Sequence, residues 1–412
     1  MIAVDEDRPA ARSFGLLNES VLTVAGIYGP NASGKSNVVD ALAWLSTAIN
    51  KSLRAWDEVV PREPFKFRNA AGRSTSFEVE MIVGGVRYAY QLELSDNEVS
   101  FEALYSYPER RRRLLFEREG LEVQFRRGLA STLSGVRELL TPTTLALSAA
   151  IRFNEPEVSL FGRKVANILV LGARPRRPRY SGYYAPAPYR AQETERLFLD
   201  GPDPDQLELF EGGGSDEFWG PRSALALLRF ADLGIENVEV VEEPSDETVD
   251  SSPRRKIRLV HRVADQKVVF SAFDESEGTR TWFRLIGPVL GALRNGRTLL
   301  FDEIDASLHP RLSAKLLELF RDPKTNPRGA QLIFTSHDTS LLNHLNRDEV
   351  WLTEKGDDGA TSLTALADFG GDKVRRSLNL EKAYLQGRFG AVPELDQHAI
   401  RSLLGLIPQD EP

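Results

Sequence analysis

Residues 29–36 read Gly-Pro-Asn-Ala-Ser-Gly-Lys-Ser, the pattern G-x-x-x-x-G-K-[S/T]. They lie between two segments of different periodicity. Ahead of them, Val21 to Tyr28 form a short apolar run rich in β-branched residues, which reads as a buried strand. Behind them, from Asn37 on, Val38, Val39, Ala41, Leu42, Trp44 and Leu45 recur at helical spacing. A chain of this composition yields about 0.01 such matches by chance. The constraint is physical. Gly29 and Gly34 admit backbone geometry that other residues resist, so loop N–H groups can turn inward on phosphate oxygens. The helix that follows aims its N-terminus at the same anion. On this reading Lys35 reaches the β- and γ-phosphates and the Ser36 hydroxyl ligates Mg²⁺. Pro30, Asn31, Ala32 and Ser33 complete the cradle, and Asn37 opens the helix.

The last third of the chain supplies the partners such a loop needs. Thr298–Phe301 reads as a buried strand ending in Asp302-Glu303. Ala314–Phe320 reads as a helix, Gln331–Thr335 as a second buried strand ending near His337, and Val350–Thr353 as a further strand. Strands alternating with helices imply a parallel sheet. Behind a phosphate loop, the first acid after such a strand holds the metal and the second polarises the attacking water. That assigns Asp302 with Ser36 to the metal, and Glu303 with Lys35 to catalysis. His337 is expected beside Asp302, where it would sense the γ-phosphate. His309 reads as a helix starter, with Pro310 at an early helical position. Ser276 and Gly278 precede a helix over Arg280–Leu293; their small polar start suits either an N-cap or a phosphate arriving from elsewhere.

Between these parts the pattern changes. Phe77, Val79, Met81 and Val83 alternate, as do Val86, Tyr88, Tyr90 and Leu92, with Gly84-Gly85 between them, which predicts a β-hairpin. Residues 131–170 read as mainly helical. Residues 172–190, rich in Pro, Arg and Tyr, and 201–219, acidic and Gly-rich, read as surface insertions or mobile loops. A helix over Ser223–Ala231 and β-like stretches at Val238–Val241 and Ile257–Phe270 follow. The expected organisation is an N-terminal part of a core with the loop and hairpin over 1–130. A helical lobe over 131–235 follows, with mobile insertions at about 172–220. The C-terminal part of the core spans 236–365 and a tail 366–412. The chain has 412 residues, a net charge of −8 and no cysteine. The absence of cysteine excludes disulfides, thiolate metal sites and cysteine nucleophiles, and the net negative charge argues against a general coat for nucleic acid while leaving local basic patches open. No apolar stretch is long enough for a membrane helix and the N-terminus lacks a signal-peptide core, so a cytoplasmic protein without membrane contact is expected.

GPNASGKS, SEG before a helix, LLFDEID followed by SLHP, and FTSHD occur in that order. This resembles the ABC-type P-loop ATPases of the SMC and RecF-like branch. Within it, IYGPNASGKSNVVDAL, the FEVE…VRYAYQLEL hairpin, LFEREG, LLFDEIDASLHP and KAYLQGRFGAVPEL are similar to stand-alone bacterial AAA-type ATPases of the RloA and AbiLi phage-defence kind. The resemblance implies an α/β P-loop NTPase with an antiparallel β subdomain and a helical insertion lobe. It implies ATP and Mg²⁺, with Gly29, Asn31, Gly34, Lys35 and Ser36 in the Walker A loop. It implies Asp302 and Glu303 as Walker B, Ala306–Pro310 as the D-loop region, His337 as the switch histidine, and Ser276 and Gly278 as a degenerate signature. It further implies a head-to-head homodimer with ATP between one chain's loop and the other's signature helix. The resemblance also implies a separately encoded effector, often a RloB-like nuclease, acting with it in antiviral abortive infection.

Three departures stand out. The family usually carries an additional strand before the loop, in a phrase such as FRVANFRSI; nothing ahead of Val21 resembles it, so either the start codon lies further upstream or the sheet has lost an edge strand. The signature lacks its full LSGGQ form. Gln91 sits within an alternating strand and is a poor Q-loop. The stretch after His337 is too short for the TOPRIM nuclease that some relatives carry, so no nuclease chemistry is expected here. Nucleic-acid contact through Arg110–Arg113, residues 172–190 and Arg254-Arg255-Lys256 competes with an ordinary solvated charged surface. The alternative functions are a RecF/SMC-like DNA-repair ATPase and, against the degenerate signature, a transporter ATPase. Tyr384, Gly387, Arg388, Phe389, Gly390 and Pro393 suit either a docking tail or a closure of the sheet.

Overall fold

A computed structural model describes residues 1–4, 8–13, 19–67, 72–172, 191–199, 219–231, 234–243, 254–264, 266–271, 274–369 and 379–390. The elements begin with β1 (Ala11–Ser13), β2 (Ser20–Leu22), β3 (Val24–Tyr28) and α1 (Lys35–Ala55). An antiparallel group follows: β4 (Thr75–Val83), β5 (Val86–Leu94), β6 (Val99–Tyr107), β7 (Arg113–Glu119) and β8 (Glu122–Phe125). Then come α2 (Val136–Leu139), α3 (Ala146–Ala150), α4 (Pro156–Ala166), β9 (Leu169–Leu171), α5 (Ala191–Leu199) and α6 (Pro221–Ala231). A second antiparallel group comprises β10 (Ile235–Glu243), β11 (Arg254–Val263) and β12 (Gln266–Ser271). The chain continues through α7 (Glu277–Asn295), β13 (Thr298–Phe301), α8 (Ile304–Ser307), α9 (Pro310–Arg321), β14 (Gln331–Thr335), β15 (Val350–Lys355), β16 (Thr361–Ala365) and α10 (Leu380–Leu385).

Among the described residues the central sheet has the order β16-β15-β3-β14-β13-β9, parallel except for the β15–β16 pair. β3 and β13 are buried on both faces, which is why they appear as unbroken apolar runs. The two-residue period still sorts them. Leu300 packs on Val39 and Ala43 of α1, whereas Leu299 and Phe301 face a larger core with α7 and α9. The other end of α1 buries Leu45, Ala48 and Ile49 with Tyr90, Leu92 and Phe161, beneath the five-stranded sheet β4-β5-β6-β7-β8. One helix therefore joins two cores. Full burial of each large side chain there contributes about 1.5–3 kcal/mol.

Several expectations change. The run Val21–Tyr28 is two strands, broken at Thr23, whose N–H and hydroxyl both donate to Ala10 O. β1 and β2 pair with each other and not with the central sheet. Residues 131–170 are not wholly helical: Leu169–Leu171 is a strand beside β13. Periodicity alone cannot separate so short an apolar run from a helix segment. Within the expected mobile insertions, Ala191–Leu199 is a packed helix. Thr194 is fully buried, its hydroxyl donating to Phe283 O (2.6 Å) and accepting from Gly287 N (2.8 Å). Residues 173–190 and 201–218 lie outside the described residues. The Gly387–Gly390 stretch adds no strand to the central sheet; Phe389 is buried at an edge contact with Phe369. Pro393 lies outside the described residues.

Candidate functional site

β3 ends at Tyr28 and the chain enters the phosphate loop directly. Both glycines are required by close approach. A side chain at Gly29 would overlap Thr353, and one at Gly34, where φ is +104°, would overlap Thr361. Threonines of the β15–β16 pair brace the loop from behind. The Ser33 and Thr353 hydroxyls lie 2.6 Å apart, Thr353 Oγ1 donates to Tyr28 O (3.1 Å), and Thr361 Oγ1 donates to Ser33 O (2.9 Å). Ala32 takes a positive φ of 62°, while Asn31, Ala32 and Asn37 are exposed on the loop's outer side. Pro30 is half-buried and its carbonyl faces inward to Lys35.

Lys35 is 6% exposed and donates to Gly29 O (2.8 Å) and Pro30 O (3.1 Å). Burial lowers its pKa below the usual lysine range, and the charges of Asp305, Asp302 and Glu303 oppose that shift. One cation thus shares its surroundings with three carboxylates. Next to it, Ser36 Oγ donates to Asp302 Oδ1 at 3.1 Å. Thr335 Oγ1 donates to the same oxygen at 2.6 Å and accepts from Glu303 N at 2.7 Å. Because β14 lies between β3 and β13, Thr335 is the residue that joins loop strand to acidic strand. Glu303 adopts the left-handed region at φ 54°, ψ 57°, a conformation a non-glycine residue keeps only when its surroundings hold it.

His337 follows β14 and is exposed; its N–H donates to Asp305 Oδ1 (3.1 Å), which also accepts from Ser336 Oγ (2.8 Å). The acid-bearing turn and the histidine loop are thereby tied together. The sequence reading placed Lys35, Ser36, Asp302, Glu303 and His337, and in the structure they follow the carboxyl ends of β3, β13 and β14. It did not single out Thr335, Asp305, Thr353 or Thr361. The LFDEID phrase contained Asp305; the threonines are ordinary strand residues by propensity.

Ser276 and Gly278 stand at the exposed start of α7. Ser276 Oγ accepts from Thr279 N at 3.1 Å, a helix cap, and among the described hydrogen bonds none joins this turn to the phosphate loop of the same chain. His309 is likewise a cap, its Nδ1 accepting from Arg311 N at 3.3 Å. Gln91 Nε2 donates to Glu78 Oε1 on the antiparallel sheet.

The donor set fits Mg²⁺. A hydroxyl and a carboxylate are hard oxygen donors. Among the described residues no cluster of three or more His, Asp or Glu could hold a metal alone. Mg²⁺ is commonly held by one or two protein oxygens, with phosphate and water completing its shell. A glycine-rich loop at a strand–helix junction, a carboxylate at the end of β13 that accepts from the loop's serine and a glutamate beside it have the make-up of a P-loop ATPase domain. Residues 24–343 match the family described as "AAA domain, putative AbiEii toxin, Type IV TA system". The chain belongs to this AAA domain family.

No curated protein matches the chain. Solved structures similar to this AAA domain include a SmcHead bound to the C-winged helix domain of ScpA, at 14% identity and TM-score 0.43, covering 86% of this chain and 95% of that one. The SMC head domain from Thermotoga maritima has 14% identity and TM-score 0.39 over the same shares, 86% and 95%. An Smc head domain with an extended coiled coil, bound to the C-terminal domain of ScpA derived from Pyrococcus furiosus, has 14% identity and TM-score 0.36 over 87% and 95%. Among the described residues of this AAA domain no helix is long and apolar enough to cross a membrane.

Proposed function

We propose that this AAA domain is a Mg²⁺-dependent ATP-hydrolysing switch of a bacterial antiviral, abortive-infection system that acts on a separately encoded effector. The observation that carries the ATPase reading is the hydrogen-bonded series Ser36–Asp302–Thr335–Glu303 beside Lys35. The family's toxin–antitoxin description supports the defence setting.

The chain's own residues divide the work. Loop N–H groups and Lys35 bind the triphosphate, with Lys35 exchanging the Gly29 and Pro30 carbonyls for phosphate oxygens. Ser36 and Asp302 hold Mg²⁺, which when bound neutralises phosphate charge. Thr335 holds Asp302 on one side and the Glu303 backbone on the other, so the Glu303 carboxylate is set for the attacking water. His337 faces the γ-phosphate from the next strand. Positioning and electrostatics supply the rate.

The exposed start of α7 supports a head-to-head dimer, in which Ser276 and Gly278 meet the nucleotide of a second copy. The effector is a separate protein, of which a RloB-like nuclease is the expected kind; the exposed Arg110–Arg113 would be one contact for a phosphate backbone if nucleic acid is a further partner. Phosphate release from ATP tests the reading. Wild type should hydrolyse ATP with Mg²⁺; Lys35→Ala should neither bind nor hydrolyse it. Glu303→Gln should bind ATP, fail to turn over, and elute as a dimer on size exclusion. Turnover by Glu303→Gln at the wild-type rate removes Glu303 from its role. Absence of ATP binding by wild type removes the reading itself.

A further inference from the structure

Among the described residues, two buried polar atoms behind the site have no hydrogen-bond partner. One is the hydroxyl of Tyr28, the last residue of β3 before the phosphate loop; the other is Oδ2 of Asp338, which follows His337. Tyr28 is 1% exposed, and Asp338 is the acid whose charge its phenol feels most. A buried donor and a buried acceptor left without partners are each costly. Both belong to segments that contact a nucleotide in the reading above.

The same two segments meet α10. The edge contact between the Tyr28 and Tyr384 rings spans 6.3 Å between centroids. Asp338 caps the short helix Thr339–His344, its Oδ1 accepting from Ser340 N at 2.9 Å. From that helix Thr339 Oγ1 and Asn343 Nδ2 donate to the two carboxylate oxygens of Glu381, at 3.2 and 2.6 Å. So α10 touches the phosphate-loop strand with one residue and the histidine loop with another. Leu380 and Ala383 anchor it in the main core.

We propose that Glu381 and Tyr384 are positioning residues, Glu381 for the segment that follows His337 and Tyr384 for the phosphate-loop strand, and that α10 reports whether nucleotide is bound through a Tyr28–Asp338 hydrogen bond made on binding. This rests on the phosphate loop binding ATP. It gives the C-terminal segment a defined link to the nucleotide site, 45 or so residues beyond the histidine by chain but in direct contact by fold.

Hydrogen exchange of the full chain, with and without a non-hydrolysable ATP analogue and Mg²⁺, tests it. Peptides over 29–36 and over 380–385 should both slow, each about fivefold or more. In Glu381→Ala the first should still slow and the second should not, with kcat down about tenfold and analogue affinity within about twofold of wild type. Glu381→Gln and Tyr384→Phe, which keep an acceptor and a ring, should recover most of kcat; they also serve if Glu381→Ala does not fold. Tyr28→Phe should lose the response at 380–385 alone. A response at 29–36 without one at 380–385 in wild type overturns the proposal and leaves the ATPase reading standing. So does a wild-type kcat in Glu381→Ala. No response at either segment overturns both.

Discussion

Ser36 Oγ donates to Asp302 Oδ1 across 3.1 Å although 266 positions separate the two residues in the chain. The contact brings the start of α1 to the end of β13, with β14 between their strands. Loss of the Ser36 hydroxyl should therefore act on the metal. Ser36→Ala is expected to raise the Mg²⁺ concentration for half-maximal ATPase activity about tenfold, worth about 1.4 kcal/mol. A Mg²⁺ titration at saturating ATP checks it.

Thr335 is the centre of the series. Thr335→Val keeps the strand's shape and removes both the donor to Asp302 and the acceptor for Glu303 N. Hydrogen bonds to charged groups contribute about 1.5–3 kcal/mol, so kcat should fall about 10- to 100-fold. ATP binding should change little. A variant that loses affinity and keeps kcat would show that Thr335 serves the ground state.

Lys35 is held below its ordinary pKa of 10.5, first by burial. Below its depressed pKa the amine is charged in both folded and unfolded chains, and the burial cost is present in full. As pH rises toward 10.5 the folded chain releases the proton first and the cost is relieved. Lys35→Met should thus melt at or above the wild-type temperature near neutral pH, with the gap narrowing as pH rises. It should also abolish ATP binding. Melting curves at several pH values without nucleotide decide it; a variant less stable than wild type at neutral pH contradicts the assignment.

Glu102 and Arg118 form a fully buried pair under the five-stranded sheet, Nη1 to Oε2 3.6 Å. Glu102 accepts from Ala146 N, Leu147 N and the Tyr90 hydroxyl, while Arg118 Nε donates to Gly120 O and Nη2 to Thr141 O. Burial pushes the Glu102 carboxyl up, and Arg118 is the main opposing charge. Arg118→Met leaves that carboxylate buried without its cation and should destabilise by about 3–5 kcal/mol. Denaturant unfolding measures it. Adding Glu102→Gln should restore part of the loss.

The loop, its flanking strand and helix, Asp302-Glu303 and His337 were all legible in residue order, because each depends on local chemistry. Glycines permit the loop's backbone, apolar runs mark strands buried on both faces, and acids at strand ends have one common use beside a phosphate. The break at Thr23, the strand Leu169–Leu171 and the packed helix Ala191–Leu199 were not, since short segments take their form from what they pack on. Thr335, Thr353 and Thr361 look alike in a sequence. Only the strand order β15-β3-β14-β13 sets the first between the loop strand and the acidic strand and the others behind the loop. Asp305 and α10 were likewise decided by tertiary contact, because a side chain's role in a hydrogen-bond network depends on which distant atoms the fold brings within about 3 Å of it.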